Sequence, residues 1–329
     1  MEHKPGQAAA LLVCAALALG AAGMAQAQEP WPSRPIHVVV PAPAGGQLDL
    51  AMRAFADKLS AALGQPLVIE SKPGADGHIG VDYVHASQPD GYTWLLGSVP
   101  FTAQPALYPK TLKWHPTRDF QAVSVYGTTK FFYVVPYDLP VDSLQAFIDY
   151  AHAHEGTISY PAAVRGSVVH LSTEIFNQAT HAGMQMIPYA GQPPAITDLV
   201  GGRLHIMALS KPLAEPLIMK RRIKALAVMD TVRDGELPNV PTVLEAGFPQ
   251  LALKSWYGLF VPARTPRAVV DRVNAEMNRL MKDPDVVRRL SVINVDPAAP
   301  MDAGRSQAFV QSEVDRWGGV IRDARVQIE

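Results

Sequence analysis

Val38-Val39-Val40-Pro41-Ala42-Pro43-Ala44-Gly45-Gly46-Gln47-Leu48-Asp49 is a β-branched run that breaks into a proline- and glycine-rich loop and then feeds an amphipathic helix. β-Branched side chains suit the pleated surface of a strand, and the prolines and glycines end it. Downstream, Leu48, Met52, Phe55, Leu59 and Ala62 recur at helical spacing with Arg53, Asp57 and Lys58 between them, until Gly64 closes the pattern. The loop therefore points into a helix N-terminus. Unpaired N–H groups and the helix dipole favour negative charge there, and glycine lets a ligand approach the main chain. The stretch reads as an oxyanion cradle that needs no charged side chain, although ordinary strand-to-helix connections use the same chemistry.

Toward the N-terminus, Met1-Glu2-His3-Lys4 precedes an Ala/Leu-rich run over residues 8–22 and then Ala25-Gln26-Ala27. Residues 1–27 are expected to be a secretory signal peptide cleaved before Gln28. The competing reading is an uncleaved anchor, against which stand the run's shortness, its weakly apolar Ala and Gly content and its small-residue close. The only cysteine, Cys14, lies inside this segment, preceded by Val13 rather than by the small residue a lipoprotein needs. Cleavage would leave a chain without disulfides, thiolate metal sites or a Cys nucleophile.

The remaining chain is about twice the usual domain size. Its formal net charge of −1, with no basic block beyond Lys220-Arg221-Arg222, gives no support for nucleic acid or an anionic membrane surface as a partner. The 29 prolines and 24 glycines mark many defined turns, yet no low-complexity linker separates two halves, so the halves are expected to interweave.

Strand-like and helix-like runs alternate, which predicts an α/β protein with mainly parallel sheets. In a first block, residues 36–40, 66–70 and 93–97 read as strands, with a short helix over 80–86 and a turn at Pro89-Asp90-Gly91. In a second, residues 131–135, 157–160, 184–188, 205–209 and 225–228 read as strands, with helices that include 143–153 and 169–180. After Pro238 a single strand over 256–261 is followed by helices over 266–281, 284–290 and 302–325. One strand and its helices are too little for a third domain, so this segment is expected to complete the first. Two crossovers, near residues 120–130 and 250–256, would then join lobe 1 (residues 28–125 and 251–329) to lobe 2 (residues 126–250). That is the bilobal, Venus-flytrap architecture of type II periplasmic binding proteins, whose hinge closes on a ligand.

The chain resembles the substrate-binding proteins of tripartite tricarboxylate transporters, the Bug or TctC family. The resemblance rests on Trp31-Pro32-Ser33-Arg34-Pro35-Ile36, the loop from Pro41 to Asp49, Leu63-Gly64-Gln65-Pro66 and Lys72-Pro73-Gly74-Ala75-Asp76-Gly77. It continues through Pro89-Asp90-Gly91-Tyr92-Thr93, Gly166-Ser167-Val168-Val169-His170-Leu171, Thr197-Asp198-Leu199-Val200-Gly201-Gly202, Val240-Pro241-Thr242-Val243-Leu244-Glu245-Ala246-Gly247 and Ser255-Trp256-Tyr257-Gly258. Each is a weak word alone. Their order and spacing cover nearly all of the chain after the signal segment.

The resemblance implies a monomeric periplasmic receptor without a cofactor. It would capture a small carboxylate for the membrane subunits of a tripartite transporter, or present it to a sensor kinase. It also implies that one carboxylate is held by backbone N–H groups and water from two loops, at Ala44, Gly45, Gly46, Gln47 and Asp49 and at Gly74, Ala75, Asp76 and Gly77. Main-chain donors bind an oxyanion without the rotamer entropy of a long cation. Asp49 is expected to orient its loop, because a carboxylate beside an anionic ligand repels it. Asp76 stands where the family often has a small residue; it either faces solvent or recognises an amine or hydroxyl.

The opposite wall would be Tyr160-Pro161-Ala162-Ala163-Val164-Arg165-Gly166-Ser167, which departs from the family's small hydroxyl and glycine positions. Gly166 and Ser167 remain candidate contacts. Arg165 is either a bidentate partner for a distal carboxylate or a solvated loop cation. Ser210 and Lys211 stand where relatives often have Asp or Asn, which makes Lys211 either a further anion contact or a surface lysine, and Tyr189 either lines the cleft or packs. Arg165 and Lys211 together would favour a ligand with a second negative group.

An enzyme is not expected. Gly166-Ser167 lacks the G-x-S-x-G elbow, no HExxH occurs, and the Pro41 loop lacks G-x-G-x-x-G spacing. His152 and His154 fall on different helix faces, and His170 has no other ligand at metal spacing, so no metal site is expected.

Overall fold

The computed structural model describes residues 31–162, 167–189 and 192–323. The expected signal peptide, Arg165 and Gly166 lie outside them. The chain divides into residues 1–33, of which only 31–33 are described, and one compact unit that begins at Arg34. Everything below concerns that unit.

Its first sheet is nucleated by β1 (Ile36–Val40), whose Ile36, Val38, Val39 and Val40 are fully buried. β1 pairs in parallel with β2 (Leu67–Ser71) on one side and β3 (Thr93–Gly97) on the other. Between β1 and β2 runs α1 (Gln47–Leu63), which turns Leu48, Met52, Phe55 and Leu59 inward. Burying a side chain of this size contributes roughly 1.5–3 kcal/mol. Gly64, at φ 77°, ends α1 and returns its N–H to the Ser60 carbonyl. α2 (His78–His85) links β2 to β3, and α3 (Val99–Leu107) follows β3.

The other half of the sheet comes from farther along the chain. β4 (Phe120–Thr129) and β10 (Ser255–Pro262) pair antiparallel, and β10 inserts between β3 and β4. The two-residue β11 (Asp296–Pro297) completes the order β11-β4-β10-β3-β1-β2. The sheet is therefore mixed rather than mainly parallel: β10 and β11 run against the first three strands, whereas β4, antiparallel to β10, runs with them. α8 (Arg267–Leu280), α9 (Pro284–Val292) and α10 (Ala303–Asp323) belong to this returning segment.

Residues between β4 and β10 build two smaller sheets. β5 (Phe131–Pro136) lies antiparallel between β8 (Met207–Ser210) and β9 (Ile223–Val228), while β6 (Ser159–Ala162) and β7 (Gln185–Pro188) pair in parallel. The connecting helices are α4 (Leu144–Ala153), α5 (Val168–Thr180), α6 (Gln192–Val200) and α7 (Lys211–Met219). Residues 120–129, read from sequence as part of a crossover, are thus a strand. The chain leaves the first sheet at Lys130 and returns after the Met229 carbonyl accepts the Leu253 N–H at 2.9 Å.

Candidate functional site

The C-terminal ends of β1, β2 and β3 open on one cavity of about 310 Å³, lined by Pro41, Ala42, Pro43, Leu48, Gly74, Asp76, Gly77, Ser98, Gln104 and Tyr108 among others. Gly46, Gly77 and Ser98, the residues preceding α1, α2 and α3, provide no capping hydrogen bond from a side chain. Ser143, Ser167 and Asp283 cap α4, α5 and α9 in that way, whereas α7 and α8, like the first three, have no such cap. First-turn donors and aligned peptide dipoles converge at these ends, an arrangement that favours negative charge.

The first loop is held from beneath. Asp49 is buried, and its carboxylate accepts the Gly45 N–H at 2.8 Å and the Arg53 Nε–H at 2.8 Å. Its charge is consumed inside the loop and leaves Ala44 and Gly45 exposed at the tip. Gln47 donates to the Ile293 carbonyl at 3.2 Å and to Thr129 Oγ1 at 3.4 Å, tying α1 to the returning segment and to β4.

The second loop is strained. Gly74, Ala75, Asp76 and Gly77 all have positive φ, at 118°, 46°, 53° and 92°. A non-glycine residue in this region is costly and persists only where its surroundings enforce it. Here the Asp76 carbonyl accepts from Gln104 Nε2 at 2.6 Å, and its Oδ2 accepts the Tyr108 hydroxyl at 2.5 Å. The loops also touch: a Cβ on Gly80 would lie 2.9 Å from the Pro41 Cα, and one on Gly77 3.1 Å from the Pro41 carbonyl oxygen. Gln104 Oε1 is buried without a partner, an acceptor available to a bridging water or a ligand donor.

A second cavity, of about 410 Å³, lies beside the first turn of α1. Gln47, Leu50, Val292 and Ile293 line one side, and Gln192, Ser210, Pro212 and Leu213 the other. Among the described residues, no Lys, Arg or His lines either cavity.

Lys211 is not among the lining residues although Ser210 and Pro212 are. Its ammonium is largely buried on Asp234 Oδ1, at 2.9 Å, and on Glu236, while Lys130 Nζ reaches Asp234 Oδ2 at 3.2 Å. Burial opposes the charge of Lys211, but Glu236 and Asp234 outweigh it and raise its pKa. Burial likewise opposes ionisation of Asp234, yet the bond from Lys211, the Glu236 N–H and both cations hold its pKa below the ordinary value. Tyr189 is turned to Asp198, to which it donates at 2.7 Å, and burial followed by that carboxylate pushes its pKa up to about 12. Ser167 accepts the His170 N–H at 3.3 Å as the cap of α5.

The structure thus brings the two glycine loops together, adds Ser210 on the facing side of the second cavity, and turns Lys211 and Tyr189 to partners of their own. Sequence reading missed Ser98, Gln104 and Tyr108, which come from or flank α3, and Gln192, Leu213 and Val292. Ser98 carried one usable signal, a hydroxyl before Val99-Pro100, the pattern of a helix start.

The family model described as the tripartite tricarboxylate transporter family receptor matches residues 51–326. Protein BugT of Bordetella pertussis is 31% identical over 97% of this chain and 98% of its own length. Among solved structures, Rpa4515 of R. palustris, determined with adipate, has a TM-score of 0.79 at 32% identity, covering 91% of this chain and 99% of that one. MatC of Rhodopseudomonas palustris, with bound malate, has a TM-score of 0.77 at 31% identity, covering 88% and 100%. These likenesses span both sheet systems and establish the bilobal binding-protein fold. With its cavity at the β1, β2 and β3 ends and this match across most of its length, the chain belongs to the Bug/TctC family of tripartite tricarboxylate transporter receptors, a family of solute-binding proteins.

Proposed function

We propose that this protein is a periplasmic receptor that closes two lobes on a small organic carboxylate and delivers it to the membrane subunits of a tripartite transporter, without catalysing a reaction. The observation that carries this reading is the convergence of α1, α2 and α3 on one cavity with no capping side chain among them. A carboxylate at the cavity mouth takes donors from residues 44–49 and 74–77, with a water held by Gln104 Oε1 as a bridge. The strands of the first sheet make lobe 1, those between Lys130 and Val228 make lobe 2, and closure swings the Ser210 wall toward Gln47. Residues 1–27 act as the cleaved signal peptide that delivers the chain to its compartment.

Thermal unfolding of the mature protein with a panel of mono-, di- and tricarboxylates tests the reading, because ligand that binds only the native state raises the midpoint. A concentration-dependent rise with at least one acid, and recovery of that acid unchanged by chromatography, is expected. Absence of any shift across the panel refutes the receptor reading, and turnover of a bound acid refutes the claim that it catalyses nothing.

A further inference from the structure

The second glycine loop takes its shape from one helix face. The geometry points to Tyr108 and Gln104 as positioning residues of the carboxylate site: they hold Asp76 in a left-handed backbone conformation, and through it the loop that meets the ligand. This rests on the receptor reading above, in which residues 74–77 supply main-chain donors.

Among the described residues, five non-glycine positions have positive φ: Ala75, Asp76, His181, Arg221 and Asn294. His181 caps the C-terminus of α5, and Arg221 and Asn294 directly follow Lys220 and Ile293, the caps of α7 and α9. Each of these three turns the chain back on its helix: the N–H groups of Ala182, Arg222 and Val295 reach the carbonyls of Asn177, Leu217 and Leu290. A left-handed residue is ordinary at such a helix end. Ala75 and Asp76 are different. They are consecutive, and they lie ahead of a helix, α2, rather than behind one. Their conformation therefore needs another support.

α3 supplies it. Gln104 and Tyr108 are four positions apart at its C-terminal end, on one face. Both reach Asp76: Gln104 Nε2 donates to its carbonyl at 2.6 Å, and the Tyr108 hydroxyl donates to its Oδ2 at 2.5 Å. One bond holds the backbone of Asp76 and the other its side chain. The orientation of the Gln104 amide follows from its partner, because a carbonyl oxygen only accepts. Gln104 is only 3% exposed, so water does not readily replace it.

Donors already in place bind an anion without first being ordered. A loop that relaxes out of the left-handed region must be returned to it by the ligand, and apparent affinity falls by the fraction of molecules in the competent shape. Position 76 separates shape from contact. Asp76→Ala keeps the strain and loses the Tyr108 bond, whereas Asp76→Gly loses the same bond but adopts a left-handed backbone freely.

The test is calorimetry on the mature protein, using the tightest-binding acid of a panel of acetate, malate, adipate, citrate, glutamate and benzoate, at a temperature where ligand-free thermal midpoints show every variant folded. Asp76→Ala is expected to weaken binding about fivefold or more and Asp76→Gly to stay within about twofold of wild type. Tyr108→Phe should weaken binding as Asp76→Ala does, and should have no effect in the Asp76→Gly background. Gln104→Leu should weaken binding in both backgrounds, since it also removes the buried Oε1 acceptor, but less in Asp76→Gly. Should Asp76→Ala fail to fold, the comparison of Tyr108→Phe in the two backgrounds decides alone. Equal losses in Asp76→Ala and Asp76→Gly would make Asp76 a direct ligand contact and overturn the inference. No loss in either, or an equal effect of Tyr108→Phe in both backgrounds, overturns it too, and an equal effect of Gln104→Leu in both removes Gln104 from it. All of these leave the receptor reading standing; if no acid of the panel binds, that reading and the inference fail together.

Discussion

Asp49 and Gly45 close a five-residue ring: the buried Asp49 carboxylate accepts the Gly45 N–H at 2.8 Å and fixes the loop from the inside. Asp49→Ala leaves that donor and the Arg53 guanidinium without their acceptor and should destabilise the fold by about 1.5–3 kcal/mol, the usual worth of a hydrogen bond to a charged group. Carboxylate affinity should fall as well. Asp49→Asn keeps an oxygen for the Gly45 N–H and should recover part of both losses. Chemical denaturation and calorimetry on the two variants measure this, and full retention of affinity in Asp49→Ala would show that the loop holds its shape unaided.

Gly80 carries the contact between the two loops. A methyl there would sit 2.9 Å from the Lys72 carbonyl oxygen and from the Pro41 Cα, both backbone atoms that cannot swing aside. Overpacking of this kind costs roughly 1–3 kcal/mol. Gly80→Ala should therefore lower the thermal midpoint and, by prying α2 from Pro41, weaken ligand binding more than a surface substitution of equal destabilisation does.

Lys211 should matter for stability and not for ligand. Lys211→Met leaves the buried Asp234 with Lys130 as its cation and should cost roughly 2–3 kcal/mol. The pH dependence follows from the two shifts. Asp234 has a lowered folded value, so its contribution is complete above the unfolded carboxylate range, near about 4, and is lost as pH falls through the folded value. Lys211 has a raised folded value, so its contribution is complete below the unfolded lysine range, near about 10.4, and is lost as pH rises through the folded value. The stability gap between wild type and variant should be flat between those limits and narrow beyond each. A large loss of carboxylate affinity in the variant would instead place Lys211 at the ligand.

Glu313 receives two indoles on one oxygen, Trp256 Nε1 at 2.8 Å and Trp317 Nε1 at 3.0 Å, and all three side chains are buried. Glu313→Leu strands both donors and should cost about 2–6 kcal/mol, at about 1–3 kcal/mol for each unpaired group. Glu313→Gln retains an acceptor and should lose less. Denaturation monitored by tryptophan fluorescence reads both, and equal losses would mean that the acceptor contributes nothing.

Residues with a strong local pattern were legible. The valines of β1, the Gly64 stop and the Asp283 start of α9 all appear where their side-chain chemistry puts them. α3 was not, because Pro100 and Pro105 in Val99–Leu107 hide a helix whose first proline sits where no N–H is needed. β4 was not read as a strand, because its ten residues pair with β10, more than a hundred positions later, and no local signal reports such pairing. The site divides in the same way. Glycines announce the two loops, whereas the neutralisation of Lys211 depends on Asp234 and Glu236, which only the folded chain brings near.

The first sheet has a consequence for how the molecule is made. Its order places β10 between β3 and β4, so strands from residues 36–129 wait for a partner that begins at Ser255. As the chain emerges from N- to C-terminus, β5 to β9 can assemble from contiguous sequence while β3 and β4 still expose bare edges. Unpaired edges of this kind are where chains associate wrongly. The same late insertion that encloses the cavity therefore makes the nascent protein dependent on whatever shields those edges until its last quarter arrives.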